Sequence, residues 1–142
     1  MTSYKSNIEI DYPIEKVFKI FIDINKRELP RFNKKNPTET SYSRVIKQVG
    51  KTKIEMVTKI TAFEKNKVYE VTSTVDKDTY ISRYEFKKIN DNKTEITLIE
   101  RQDTSLISKI YITFKSFTAK KKLKTKLEKI KSGIEEEASR RK

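Results

Sequence analysis

Apolar positions recur along this chain with two periods, and the switches between them mark out its elements. From Tyr4 to Asp11 the pattern alternates, with Ile8 and Ile10 on one parity, which predicts a first strand. The period then changes. Ile14, Val17, Phe18, Phe21 and Ile24 follow at helical spacing and predict a helix with one apolar face. Pro13 suits the first turn of such a helix, and Asp11 just before it favours a helix start. Pro30 ends the pattern or allows only a short turn through Leu29 to Phe32, and the polar stretch Asn33 to Thr40 reads as the longest loop.

From there the period is two almost to residue 103. The alternation predicts strands over Ser41–Lys47, Thr52–Phe63, Val68–Val75, Tyr80–Ile89 and Thr94–Asp103. Gly50, Glu64–Lys67, Asp76–Asp78 and Asn90–Asn92 supply the turns between them. One face of these strands collects Ile54, Met56, Thr58 and Ile60, then Tyr69, Val71, Ser73 and Val75. Tyr80, Ser82, Tyr84 and Phe86 continue it, with Ile96 and Leu98 last, while Arg83, Glu85 and Lys87 take the opposite face. Short connections between neighbours imply an antiparallel meander with one dry face.

The last segment is helical and long. Its first half is broadly apolar, and its second narrows to Leu123, Leu127, Ile130 and Ile134. Traced back, this stripe passes through Ala119, Ser116 and Ile112. Gly133 is a plausible stop, so the helix is expected over about 105–132 with 133–142 as a tail that can fray, although Ile134–Ala138 could continue it. A helix through Ala138 would run about 50 Å. A globule of this length is only about 37 Å across, so the last turns must overhang, fray or kink.

A one-sided meander needs a cover, and the final helix alone is long enough to provide it. The expected fold is therefore α+β. About six antiparallel strands curve around a long C-terminal helix, with a short helix after strand one, in a single domain over 1–142. The segments Ile8–Phe18, Ile60–Glu64 before the strand opening at Val68, Arg83–Phe86 and Lys93–Leu98 carry a resemblance. Through them the chain resembles the helix-grip fold of the START-related superfamily, which includes the birch-pollen allergen, lipid-transfer domains and polyketide cyclase-like proteins. The resemblance spans nearly the whole chain and implies a ligand site between long helix and sheet. It says little about function, because the superfamily hosts many activities.

Composition narrows the chemistry. The chain has 142 residues, 35% hydrophobic and 37% charged, with no His, Cys or Trp. Without His the usual general base and the commonest metal ligand are missing. Without Cys there is no disulfide, thiolate nucleophile or Cys zinc cage. Net charge is +13, but it comes from 26 Lys and only seven Arg, the profile of an AT-rich coding bias with Lys spread over solvated faces. Arg is the better reader of phosphate and guanine, so this balance argues against a nucleic-acid partner. Met1–Ile10 is polar and no stretch approaches a membrane span, so a soluble, cytoplasmic chain is expected.

Several motifs dissolve on inspection. Gly50-Lys51-Thr52 lacks the second glycine of a phosphate loop, Val45 standing where it belongs. Asp76-Lys77-Asp78 is explained by turn chemistry better than by a metal. Asn92-Lys93-Thr94 is a hairpin signal where no secretory signal precedes it. No metal or cofactor is called for.

Glu100 is more interesting. If alternation holds from Ile96 and Leu98 it points inward, where a carboxylate needs a partner or a wet cavity. The simpler reading is that the strand ends or bulges first and leaves Glu100 in solvent. The candidate cavity lining is Met56, Tyr69, Val71, Tyr80, Ser82, Tyr84, Leu98, Glu100, Phe114 and Ser116. Small residues such as Ser116 and Ala119 either bring helix and sheet close together or leave space.

Lys115, Lys120, Lys121, Lys122, Lys124, Lys126, Lys129 and Lys131 form the densest charge, read first as the solvated side of the gripping helix. A membrane surface or a partner helix is the alternative, and the lack of Trp anchors weakens the membrane case. The narrow stripe fits a monomer or a weak homodimer. Three readings of function follow. The first is a binding module holding a small apolar or amphipathic ligand between sheet and helix. The second is a cyclase- or hydrolase-like enzyme using Glu100, Tyr or Lys as acid or base, which the absence of His weighs against. The third is an interaction protein acting through the basic helix.

Overall fold

In the computed structural model, which describes residues 2–29, 31–103 and 106–141, with side chains for all but Thr2 and 106–120, the alternating stretches form six strands. These are β1 (Thr2–Ile10), β2 (Ser41–Val49), β3 (Thr52–Glu64), β4 (Val68–Val75), β5 (Asp78–Asn90) and β6 (Lys93–Asp103). Helix α1 (Ile14–Glu28) follows β1, a 3-10 turn (Pro37–Glu39) sits in the expected loop, and α2 (Leu106–Arg140) closes the chain. The sheet order is β1-β6-β5-β4-β3-β2, every pair antiparallel. This is the expected α+β helix-grip architecture. No helix among the described residues is long and apolar enough to cross a membrane.

Register aligns the inward residues into rungs across the sheet. One rung runs Ile60, Val71, Ser82, Glu100, Tyr4, and the next runs Phe63, Tyr69, Tyr84, Leu98, Ser6. Pairing of β6 with both neighbours is unbroken from Thr94 to Gln102, so no bulge displaces Glu100. Bulges fall elsewhere, at Val45/Lys47 in the edge strand, at Ile60/Ala62 and at Lys88/Asn90. The one in β3 resets the parity so that Phe63 faces inward beside Tyr69.

Helix α1 starts one residue later than Pro13 suggests. Pro13 is extended and serves as the cap (φ −61°, ψ 148°). The helix ends at Glu28 with Leu29 in extended backbone, as a residue before proline prefers. Its apolar face meets the sheet through aromatic rings set edge-on or tilted. Phe18 lies 4.9 Å from Phe86, and Phe21 lies 4.8 Å from Tyr84, 5.1 Å from Phe86 and 5.5 Å from Tyr69. Ile20 and Ile22 are buried too, off the predicted stripe, because α1 packs against α2 as well as β5 and β6.

The entry to α1 is pinned by one buried hydroxyl. Thr94 Oγ1 donates to the Tyr12 carbonyl at 2.8 Å, and Thr94 is fully buried. Thr94→Val keeps the shape and leaves that carbonyl without its donor, so a stability loss of about 1–2 kcal/mol is expected. Urea titration with an unchanged slope checks this, and a loss near zero would mean water replaces the hydroxyl.

Helix α2 corrects the expected end of the chain. It does not stop before Gly133 but runs to Arg140, and its last turns neither overhang nor fray. Ile134 and Ala138, one turn apart, are 0% and 1% exposed. Arg141 Nη1 donates to Asp23 Oδ2 at 2.9 Å, and Arg27 pairs with Glu137 at 3.8 Å. Packing on α1 outweighs the roughly 1 kcal/mol that a glycine costs inside a helix. The narrow stripe is likewise turned into the molecule, with Leu123 and Leu127 buried and Ile130 partly so.

Candidate functional site

Alternation along β6 carries Glu100 to the same face as Ile96 and Leu98, under α2 rather than into solvent. A carboxylate there needs a partner, and it has one. Lys126 Nζ donates to Glu100 Oε1 at 3.2 Å, from a helix otherwise rich in exposed lysines. The Glu100 side chain is 24% exposed and that of Lys126 44%, so the pair sits at a mouth, neither sealed nor free. Lys126 also stands 5.8 Å from the centre of the Tyr84 ring. The simpler expectation for Glu100 is therefore overturned, because unbroken pairing on both sides of β6 keeps its parity.

Two hollows adjoin at this point and share Asn25, Glu28, Tyr84 and Lys126. The first, of about 280 Å³, lies between α1 and the second half of α2. Its apolar walls are Phe21, Ile24, Ile130 and Ile134. Gly133 opens onto it, and a methyl group there would meet only Ile24 Cδ1, at 3.9 Å. The second, of about 210 Å³, runs onto the concave sheet between Leu29, Tyr42, Thr58, Tyr69, Val71 and Ser82. At its edge the lining residue Thr58 shares a hydroxyl–hydroxyl bond of 3.1 Å with Ser73 on the neighbouring strand.

Burial governs the electrostatics. Desolvation raises the Tyr84 hydroxyl above its ordinary value, although the neighbouring Lys126 ammonium pulls the other way. Tyr69 is raised further, by burial first and then by the charges of Tyr84, Glu28 and Tyr42. Both phenols stay protonated at neutral pH and can donate a hydrogen bond. For Lys126 desolvation lowers the ammonium's value, but Tyr84 and Glu100 together outweigh it and the net direction is up. The site thus offers a permanent cation, neutral phenols and hydroxyls on apolar walls.

Four of the residues expected from sequence, Tyr69, Val71, Ser82 and Tyr84, line the second hollow, and Glu100 is joined to its lip through Lys126. Three others stand apart. Leu98 is fully buried in packed core, Tyr80 is 37% exposed, and Met56 lies further out on β3, opposite Val75. Alternation assigns a face, not a place along the strand, and none of these three lines either of the two hollows. Phe114 and Ser116, with Ala119, Lys115 and Lys120, have side chains outside the described residues.

Sequence reasoning named Phe114 and Ser116 for the helical side of the site but not the lining residues of α1 or of the second half of α2. Asn25 and Glu28 follow Phe21 at four and seven residues, and Lys126 and Ile130 precede Gly133 and Ile134 at helical steps. Polar residues bordering an apolar stripe were the available signal. Two lysines of the basic cluster are also not simply solvated, since Lys126 pairs with Glu100 and Lys124 Nζ donates to the Asn7 carbonyl at 3.3 Å.

Comparison with known proteins bears on the fold. A family model described as a domain of unknown function (DUF3284) matches residues 5–118. No curated protein matches the sequence. A conserved protein of Geobacillus kaustophilus is similar in structure, with a TM-score of 0.67, 16% identity and coverage of 95% of this chain and 96% of that one. A Mesorhizobium loti protein gives 0.64 at 12% identity, over 95% and 98%. The Aha1 dimer of Colwellia psychrerythraea gives 0.58 at 10% identity, over 94% and 96%. Identities this low speak to fold and leave the chemistry to this chain's own residues.

Proposed function

The chain belongs to the DUF3284 family, and we propose that it is a binding module holding a small apolar or amphipathic molecule in the hollows between sheet, α1 and α2. The observation that carries this reading is the shared lining described above. Apolar side chains from two helices and a curved sheet face one space, and a few polar groups converge at its edge. Ligand sites have that composition, and their volumes begin near 300 Å³, so the occupant is compact. Transfer of its apolar surface from water supplies affinity at roughly 25 cal/mol per Å². The phenol of Tyr84 and the ammonium of Lys126 supply orientation.

Gly133 supports the reading. A glycine inside a helix is costly, and the conformation here does not demand one, since φ is not positive. What the missing side chain provides is room in the first hollow.

Native mass spectrometry of protein purified from a bacterial host, with and without denaturation, tests the proposal. A reproducible extra mass lost on denaturation is expected for the natural sequence and not for Gly133→Leu, whose side chain fills the hollow. The fluorescence of N-phenyl-1-naphthylamine gives a second readout for a ligand lost in purification. No retained mass and no probe binding would sink the proposal.

A further inference from the structure

We propose that the occupant carries a single anionic head group, received at the lip of the first hollow by Lys126 and Lys129. This rests on the binding reading above and narrows it to anionic amphiphiles. The argument is the distribution of charge around an otherwise apolar space. Lys126 hydrogen-bonds both Glu100 and the Tyr84 hydroxyl, which leaves one of its three ammonium donors, and its side chain stays 44% exposed. Lys129 lines the same hollow, is exposed, and has no carboxylate at ion-pair distance among the described residues.

Both lysines also border a shallow depression on the outer side of α2, where Lys121, Lys122 and Thr125 complete the edge. The cations therefore gather where the apolar hollow meets water. A hydrocarbon tail among Phe21, Ile24, Ile130 and Ile134 would bring a terminal charge to that lip. Glu28 is the opposing element, a carboxylate on the rim of both hollows. It predicts a sign: removing it must strengthen an anion's binding, whereas removing a lysine must weaken it.

The test displaces N-phenyl-1-naphthylamine, a neutral probe, with decanoate and with decan-1-ol, which share a tail and differ in charge. At low salt decanoate is expected to bind about fivefold more tightly than the alcohol, the scale of one partly exposed ion pair. That preference should shrink as salt is added. It should also shrink in Lys129→Gln and Lys126→Gln and grow in Glu28→Gln, each read as the ratio of decanoate to decan-1-ol affinity within the same variant. Lys129→Gln is the secure variant, because Lys126→Gln strips Glu100 of its partner and can disturb the fold.

Equal displacement by acid and alcohol in every variant would overturn the anionic head while leaving the hollow itself intact. Failure of the probe to bind, together with no retained mass in the native spectrum, would remove both the binding reading and this inference. A third arm adds vesicles containing phosphatidylglycerol. Lysine-dependent capture by vesicles without any preference for dissolved decanoate would overturn the inference in favour of a membrane surface read by the basic face.

Discussion

Phe21→Ala is expected to lower stability by about 3–5 kcal/mol, the range for emptying a buried aromatic site. Phe21 is 2% exposed and its ring meets three others, Tyr69, Tyr84 and Phe86, at centroid distances of 4.8–5.5 Å. Each such pair adds to area burial, so the loss should sit toward the upper end. The surroundings cannot collapse to compensate, because Tyr69 and Tyr84 are held by strand pairing and Phe86 is already packed against Phe18. Chemical denaturation monitored by far-ultraviolet circular dichroism measures it. Phe21→Leu retains most of the volume and should cost clearly less. A loss below about 1 kcal/mol for the alanine variant would mean that α1 does not dock through this ring.

Ending the chain after Ser132 is expected to cost at least about 3 kcal/mol, since loss of a buried isoleucine side chain alone costs about 2–5 kcal/mol. Ile134 is fully buried and Ala138 nearly so, and the same turns carry Glu137 and Arg141 to Arg27 and Asp23 of α1. Those ion pairs are only partly buried, at the surface where helices meet, and add little by themselves. The apolar face of α1 that the truncation uncovers adds more. Ile134→Ala isolates the packing contribution and should account for most of the loss. If the shortened chain were as stable as the full one, the final turns would be the frayed tail that Gly133 suggests. The truncation also removes one wall of the first hollow, so probe binding should fall with it.

Much of the fold was legible because alternation and helical spacing are local properties. Side chains of a strand leave the pleat on opposite faces whatever lies above them. Thus Val68–Val75 emerges with the expected bounds, and the inward sets on β3, β4, β5 and β6 meet in common rungs. Turn positions were legible for the same reason. Gly50 and Asp76 both take positive φ, 61° and 53°, where glycine and aspartate are tolerated. Glu100 shows where local reasoning divides, since parity placed it inward and general polarity placed it outward. Continuous pairing with β1 and β5 decides for parity, and a lysine 26 residues away makes the burial tolerable.

From the sequence alone come the α+β class, the order of elements, the dry face of the sheet and the absence of His- and Cys-based chemistry. The tertiary structure alone decides which inward residues border open space and which are sealed. Tyr84 and Leu98 share a rung, yet one lines the hollows and the other is closed core. It also decides that α2 continues past its glycine and that Lys126 pairs with Glu100 at the rim of both hollows. The physical reason is range. Face and period follow from backbone geometry over a few residues, whereas space, helix ends and charge pairing follow from contacts such as Asp23 with Arg141, 118 residues apart.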